Sequence, residues 1–197
     1  MISASLSASL LARRSRFAIG AAGHWRTRRR PWRCDINPDL IAFCRDNIPF
    51  AEAWVSLIEP PIARVADASM DFVYAASVFT HVTMLQARAW SAEMRRIVKP
   101  GGILMMSYHG SHYERVLAAD SRAGLRELKR AGFYCYLHGT PNWTSPGSND
   151  YASYMTLAFA EQLFDGFERI YLREGAKDGP HTFASYEDIA IFRRNAG

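Results

Sequence analysis

The spacing of apolar positions changes along the chain, and each change marks an element. Phe72 to Ser77 carries no charge and mixes aromatic, β-branched and small residues, the pattern of a strand covered on both faces. After a polar turn over 77–82 the period lengthens. Leu85, Trp90, Met94, Ile97 and Val98 then recur on one helical face, with Gln86, Arg88, Arg95 and Arg96 opposite and Thr83 placed to cap the start. Lys99-Pro100-Gly101-Gly102 stops this helix, and Ile103 to Ser107 forms a second uncharged strand. Strand, helix and strand make a βαβ unit in a parallel sheet, where ligands gather beyond the carboxyl ends of the strands. Here those ends are Ser77 to His81 and Tyr108 to Gly110.

The same periods extend the reading in both directions. Asn37-Pro38 is a helix start, with Asn at the cap and Pro at the first position, and it places Leu40, Ile41, Phe43 and Cys44 toward the sheet. A strand is predicted from Ala53 to Leu57, before a Pro60-Pro61 turn. Residues 113–131 read as one helix, with Val116, Leu117, Leu125 and Leu128 inward. Residues 133–156 are dense in aromatics, Gly, Pro and Ser and read as too irregular for a core element. They suggest a lid or acceptor-binding insertion, in which Tyr134, Tyr136, His138 and Trp143 either line a pocket or pin a long loop. A helix over Ala158 to Phe164 and strands over Phe167 to Leu172 and Tyr186 to Phe192 follow, the two strands pairing antiparallel.

Composition changes this picture in one respect. The net charge of +5 comes from residues 1–33, which hold eight Arg and no Lys or acid; the remainder has 16 basic residues against 19 acidic ones. A basic face for nucleic acid is therefore not expected on the body. The leader has three readings: a disordered or atypical tail, an Arg- and Ser-rich import sequence, or an arm that binds acidic surfaces. The expected organisation is this leader followed by one domain over 34–197. With no apolar run of the roughly 18 residues a span needs, the protein is expected to be soluble and cytoplasmic, organelle import being the alternative. Cys34, Cys44 and Cys135 have no metal-ligand spacing and read as buried thiols of a reducing compartment.

Two residues carry candidate chemistry. Asp35 ends a strand just before a helix, where a carboxylate can accept hydrogen bonds from both hydroxyls of a ribose; the other reading is a solvated turn residue. His81, the titratable group of the 77–82 turn, reads either as a general base or as a structural hydrogen-bonding residue.

Asp71 opening its strand, SVFTHV at 77–82, RRIVKPGG at 95–102 and CDINPDL at 34–40 together resemble the class I S-adenosylmethionine-dependent methyltransferases of the small-molecule kind. The resemblance covers roughly residues 34 to 110. It implies a Rossmann-like α/β fold: a mostly parallel sheet, helices on both faces, and a C-terminal antiparallel strand pair, with the first strand and helix lost. It also implies S-adenosyl-L-methionine as cofactor, with Asp35 and Ile36 at the ribose and adenine and Ser77, Val78 and Phe79 at the far end. A small-molecule or carbohydrate-like acceptor follows, with His81 as the candidate catalytic residue and no metal. The family's glycine-rich loop should lie upstream, where Ala18-Ile19-Gly20-Ala21-Ala22-Gly23 lacks both the acid and the G-x-G spacing. A methyltransferase-like binding module that has lost its cofactor is therefore the alternative function. A nicotinamide enzyme would need a G-x-G-x-x-G that is absent from the sequence.

Overall fold

A computed structural model describes residues 9–13, 31–137, 151–175 and 186–196. Among them, β1 (Ser9–Arg13), β2 (Trp32–Asp35), β3 (Glu52–Val55), β4 (Met70–Ala76), β5 (Val98–Tyr108), β8 (Phe167–Arg173) and β9 (Asp188–Arg194) form one sheet in the order β3-β2-β1-β4-β5-β9-β8. β2 with β3 and β4 with β5 are parallel pairs, whereas β9 runs antiparallel to both β5 and β8. The C-terminal antiparallel pair is thus in place. β1 departs from the pattern: it is antiparallel to both β2 and β4, with Ser9 opposite Ala76 and Arg13 opposite Phe72. Within the Arg-rich leader, a strand therefore fills the centre of the sheet, running backwards.

Each parallel pair is joined by a helix with explicit boundaries. In α1 (Pro38–Asn47) the Asn37 side chain accepts from the N–H groups of Asp39 and Leu40 at 2.9 and 3.1 Å. In α2 (Met84–Ile97) Thr83 and Gln86 form a reciprocal capping box. β2 steps outward to β3 and β4 steps the other way to β5, so right-handed crossovers put α1 and α2 on opposite faces. The main core lies on the α2 side, where Val73, Ala75, Leu104, Met106 and Phe192 meet Trp90, Met94 and Ile97 together with Phe159 and Phe164.

Two inward assignments change. Leu85 is 79% exposed and Phe43 58% exposed, while Ala87, Ser91 and Glu93 are buried in their helix. Glu93 is inward because it is bonded: its carboxylate accepts from the Ile62 N–H at 2.8 Å and from Arg96 at 2.7 Å, tying the 58–67 loop to α2. Gly102 matches the stop signal, since a Cβ there would lie 2.8 Å from Val98 Cγ1 and 2.9 Å from the Lys99 carbonyl.

Beyond β5 the predicted single helix is two, α3 (Ser111–Asp120) and α4 (Arg122–Ala131), broken where Ser121 caps the second through Gly124 N–H. Residues 133–137 and 151–155 are also more regular than the composition of this region suggests. β6 (Phe133–Leu137) and β7 (Tyr151–Met155) pair antiparallel, with Phe133 and Met155 in the main core. The other face of this hairpin, Tyr134, Tyr136 and Tyr154, packs on Leu117, Leu125 and Leu128 of α3 and α4. The short α5 (Leu157–Leu163), capped by Thr156, leads back to β8. His138 and Trp143 lie outside the described residues, as do Gly20 to Gly23. No helix among the described residues is long and apolar enough to cross a membrane.

Candidate active site

The carboxyl ends of β2, β4 and β5 meet at one rim of the sheet. Cys34 and Ala75 both lie opposite Leu10, so the tips of β2 and β4 stand level with one strand between them, about 10 Å apart at the usual strand spacing. Asp35 ends β2 and is buried. Its Oδ1 accepts the Asn37 N–H at 2.9 Å, and its Oδ2 is buried with no hydrogen bond. Burial pushes its pKa up to about 6, against the pull of the Asn37 N–H, the Arg33 charge and the Ile36 N–H. Ile36 is half-buried beside it.

The turn after β4 is locked from several sides. Ser77 has φ of 50°, the left-handed region that a side chain rarely adopts. Its N–H donates to Ser107 Oγ at 2.8 Å, its hydroxyl donates to Glu187 Oε1 at 2.7 Å, and its carbonyl accepts the Thr80 hydroxyl at 2.8 Å. Strain that is over-determined in this way is characteristic of functional turns. Phe79 is directed away from the rim, its ring buried edge-on against Phe164 at 5.4 Å; Val78 is half-buried against the same core.

His81 is held by β7, with Nδ1 at 2.7 Å from the Tyr151 carbonyl. Two residues further along β7, the Ser153 carbonyl lies 3.1 Å from Nδ1 of His109, which follows β5 directly. A carbonyl only accepts, so each ring carries its proton on Nδ1. The rings stand 6.2 Å apart, and His109 lies 4.0 Å from Tyr113 and 5.2 Å from Tyr154. Burial first, then the neighbouring His81, lowers the His109 pKa to about 3, so it is neutral at physiological pH. The turn of β4, the end of β5 and the hairpin thus bring together two imidazoles and two tyrosines. No cluster of metal-ligating residues occurs among the described residues.

His109 lies within the strand end already singled out by its pattern, but nothing in the sequence marks its ring as tied to Ser153, 44 residues away. Glu187 had no sequence signal at all, since its partner Ser77 is 110 positions distant.

Strand order and opposed crossover helices define a Rossmann-like α/β fold with a polar rim at the strand tips. The comparisons specify it further. The family model described as a methyltransferase domain matches residues 19–106. A SAM-dependent methyltransferase from Methanosarcina mazei superposes with a TM-score of 0.61 at 18% identity, over 83% of this chain and 81% of that one. An S-adenosylmethionine-dependent methyltransferase from Mesorhizobium loti does so with a TM-score of 0.53 at 15% identity, over 82% and 78%. The family-model match over residues 19–106 and the shared fold are consistent with a class I S-adenosylmethionine-dependent methyltransferase.

Proposed function

We propose that this protein binds S-adenosylmethionine across the tips of β2 and β4 and transfers its methyl group to a small-molecule or carbohydrate-like acceptor held beside β5 and the β6–β7 hairpin. The observation that carries the reading is the buried, unpaired Oδ2 of Asp35. A carboxylate left this way costs stability unless a donor reaches it, and the two hydroxyls of a ribose are such donors. Ile36 and the exposed Leu57, on the loop after β3, offer apolar surface for the nucleobase. Ser77 and Val78 border the cofactor's far end, while Phe79 braces the turn from inside the core.

When bound, the cofactor supplies an activated methyl group on a sulfonium, so the protein's task is orientation. At a pKa of about 3, His109 is too weak a base to hold a proton at pH 7; its Nε2 serves as a hydrogen-bond acceptor that aligns an acceptor hydroxyl or N–H. His81, fixed to Tyr151, remains the candidate to take the proton. Tyr113 gives the acceptor an aromatic wall.

Converting S-adenosylmethionine to S-adenosylhomocysteine in the presence of a small-metabolite fraction tests this reading. Asp35→Ala should raise the KM for the donor at least tenfold, and His109→Phe should lower turnover without weakening donor binding. The reversed β1 favours a second reading, a methyltransferase-like binding module, because this strand does not end at the ligand rim. Absence of nucleoside binding by the wild-type chain would select that reading.

A further inference from the structure

We propose that Glu187 is a binding residue for the primary ammonium group at the amino-acid end of the cofactor; this rests on the preceding reading of the rim as a cofactor site. Glu187 stands immediately before β9 and reaches the β4 tip, where its Oε1 accepts the Ser77 hydroxyl at 2.7 Å. Its Oε2 is buried and has no hydrogen bond, and no Lys, Arg or His among the described residues forms an ion pair with it. Two phenols lie near it. Burial and, after it, the Glu187 charge push Tyr74 up to about 12 and Tyr113 upward as well, which places both rings within its field. A carboxylate whose second oxygen is buried and unserved has room for a cationic donor at that oxygen.

Position identifies what completes it. Glu187 is anchored at Ser77, one residue beyond the β4 strand, and that tip is about 10 Å, two strand spacings, from the tip carrying Asp35. The rim therefore presents two carboxylates, each with one buried and unpaired oxygen, at opposite ends of a span fitted to a nucleoside bearing an amino-acid arm. A sulfonium offers charge but no N–H. An ammonium offers charge and three donors, so of the two cationic groups it is the one that can donate to Oε2. Fixing the turn through Ser77 gives this carboxylate a definite position, and with it a preference for nucleosides that carry the arm.

Calorimetric titration separates the two ends of the ligand. S-adenosylhomocysteine has the ribose and the ammonium; methylthioadenosine has the ribose alone. Glu187→Gln, nearly isosteric, should weaken S-adenosylhomocysteine at least tenfold and leave methylthioadenosine unchanged, whereas Asp35→Asn should weaken both. With the wild-type protein, a des-amino analogue of S-adenosylhomocysteine should likewise bind at least tenfold more weakly, a comparison that needs no variant to fold. Equal losses for both nucleosides in Glu187→Gln, no loss for either, or full affinity of the des-amino analogue would overturn the assignment while leaving the cofactor reading intact. Failure of the wild-type protein to bind either nucleoside would remove both.

Discussion

Asp35 is a carboxylate held where a neutral side chain would be more stable. Its pKa rises from 3.8 to about 6, so the stability it contributes is fully present below 3.8 and is lost as pH rises through 6. Asp35→Asn should therefore gain stability over wild type between pH 4 and 6 and keep up to about 3 kcal/mol of it at pH 7, as read by chemical unfolding. An acid retained at that cost is suited to a ligand that donates to it. His109 has the opposite sign. Its pKa falls from 6.5 to about 3, so its contribution is present above 6.5 and lost as pH drops toward 3. His81, Tyr113 and Tyr154 are the groups that face its ring. His109→Phe should flatten the acid side of the stability profile, and an unchanged slope between pH 3 and 6.5 would contradict the burial of that ring.

At the scale of elements, local rules identified what local rules govern. Asn37-Pro38 and Thr83 start the helices they were expected to start, because a cap is decided within three or four residues. Thr83→Ala should cost about 1 kcal/mol in unfolding experiments. Glu93 shows where the helical pattern misleads: a charged residue lies inward because Ile62 and Arg96, on other segments or turns, satisfy it. Glu93→Ala should cost about 2 kcal/mol by leaving the buried Ile62 N–H without an acceptor, although Arg96 keeps Asp67 and the Val65 carbonyl, and this is more than an exposed glutamate would cost. Leu85 errs the other way, apolar yet exposed beside the rim. The β6–β7 hairpin was hidden because its aromatics are shared between two cores on opposite faces, which erases the simple alternation of a half-buried strand.

For the whole molecule, the βαβ unit and the terminal hairpin were legible because each is built from contiguous patterned segments. The centre of the sheet was not. β1 fills the slot between β2 and β4 but runs against both, so Arg13 and Trp32 both sit at the amino edge of the parallel strands. The proposed cofactor site rests on Asp35 and on the turn at Ser77, which end strands on either side of β1. Calorimetric titration of the full chain with S-adenosylhomocysteine tests that claim most directly. The account predicts saturable binding with one site, weakened at least tenfold by Asp35→Ala. No heat of binding, or binding indifferent to Asp35→Ala, would contradict it.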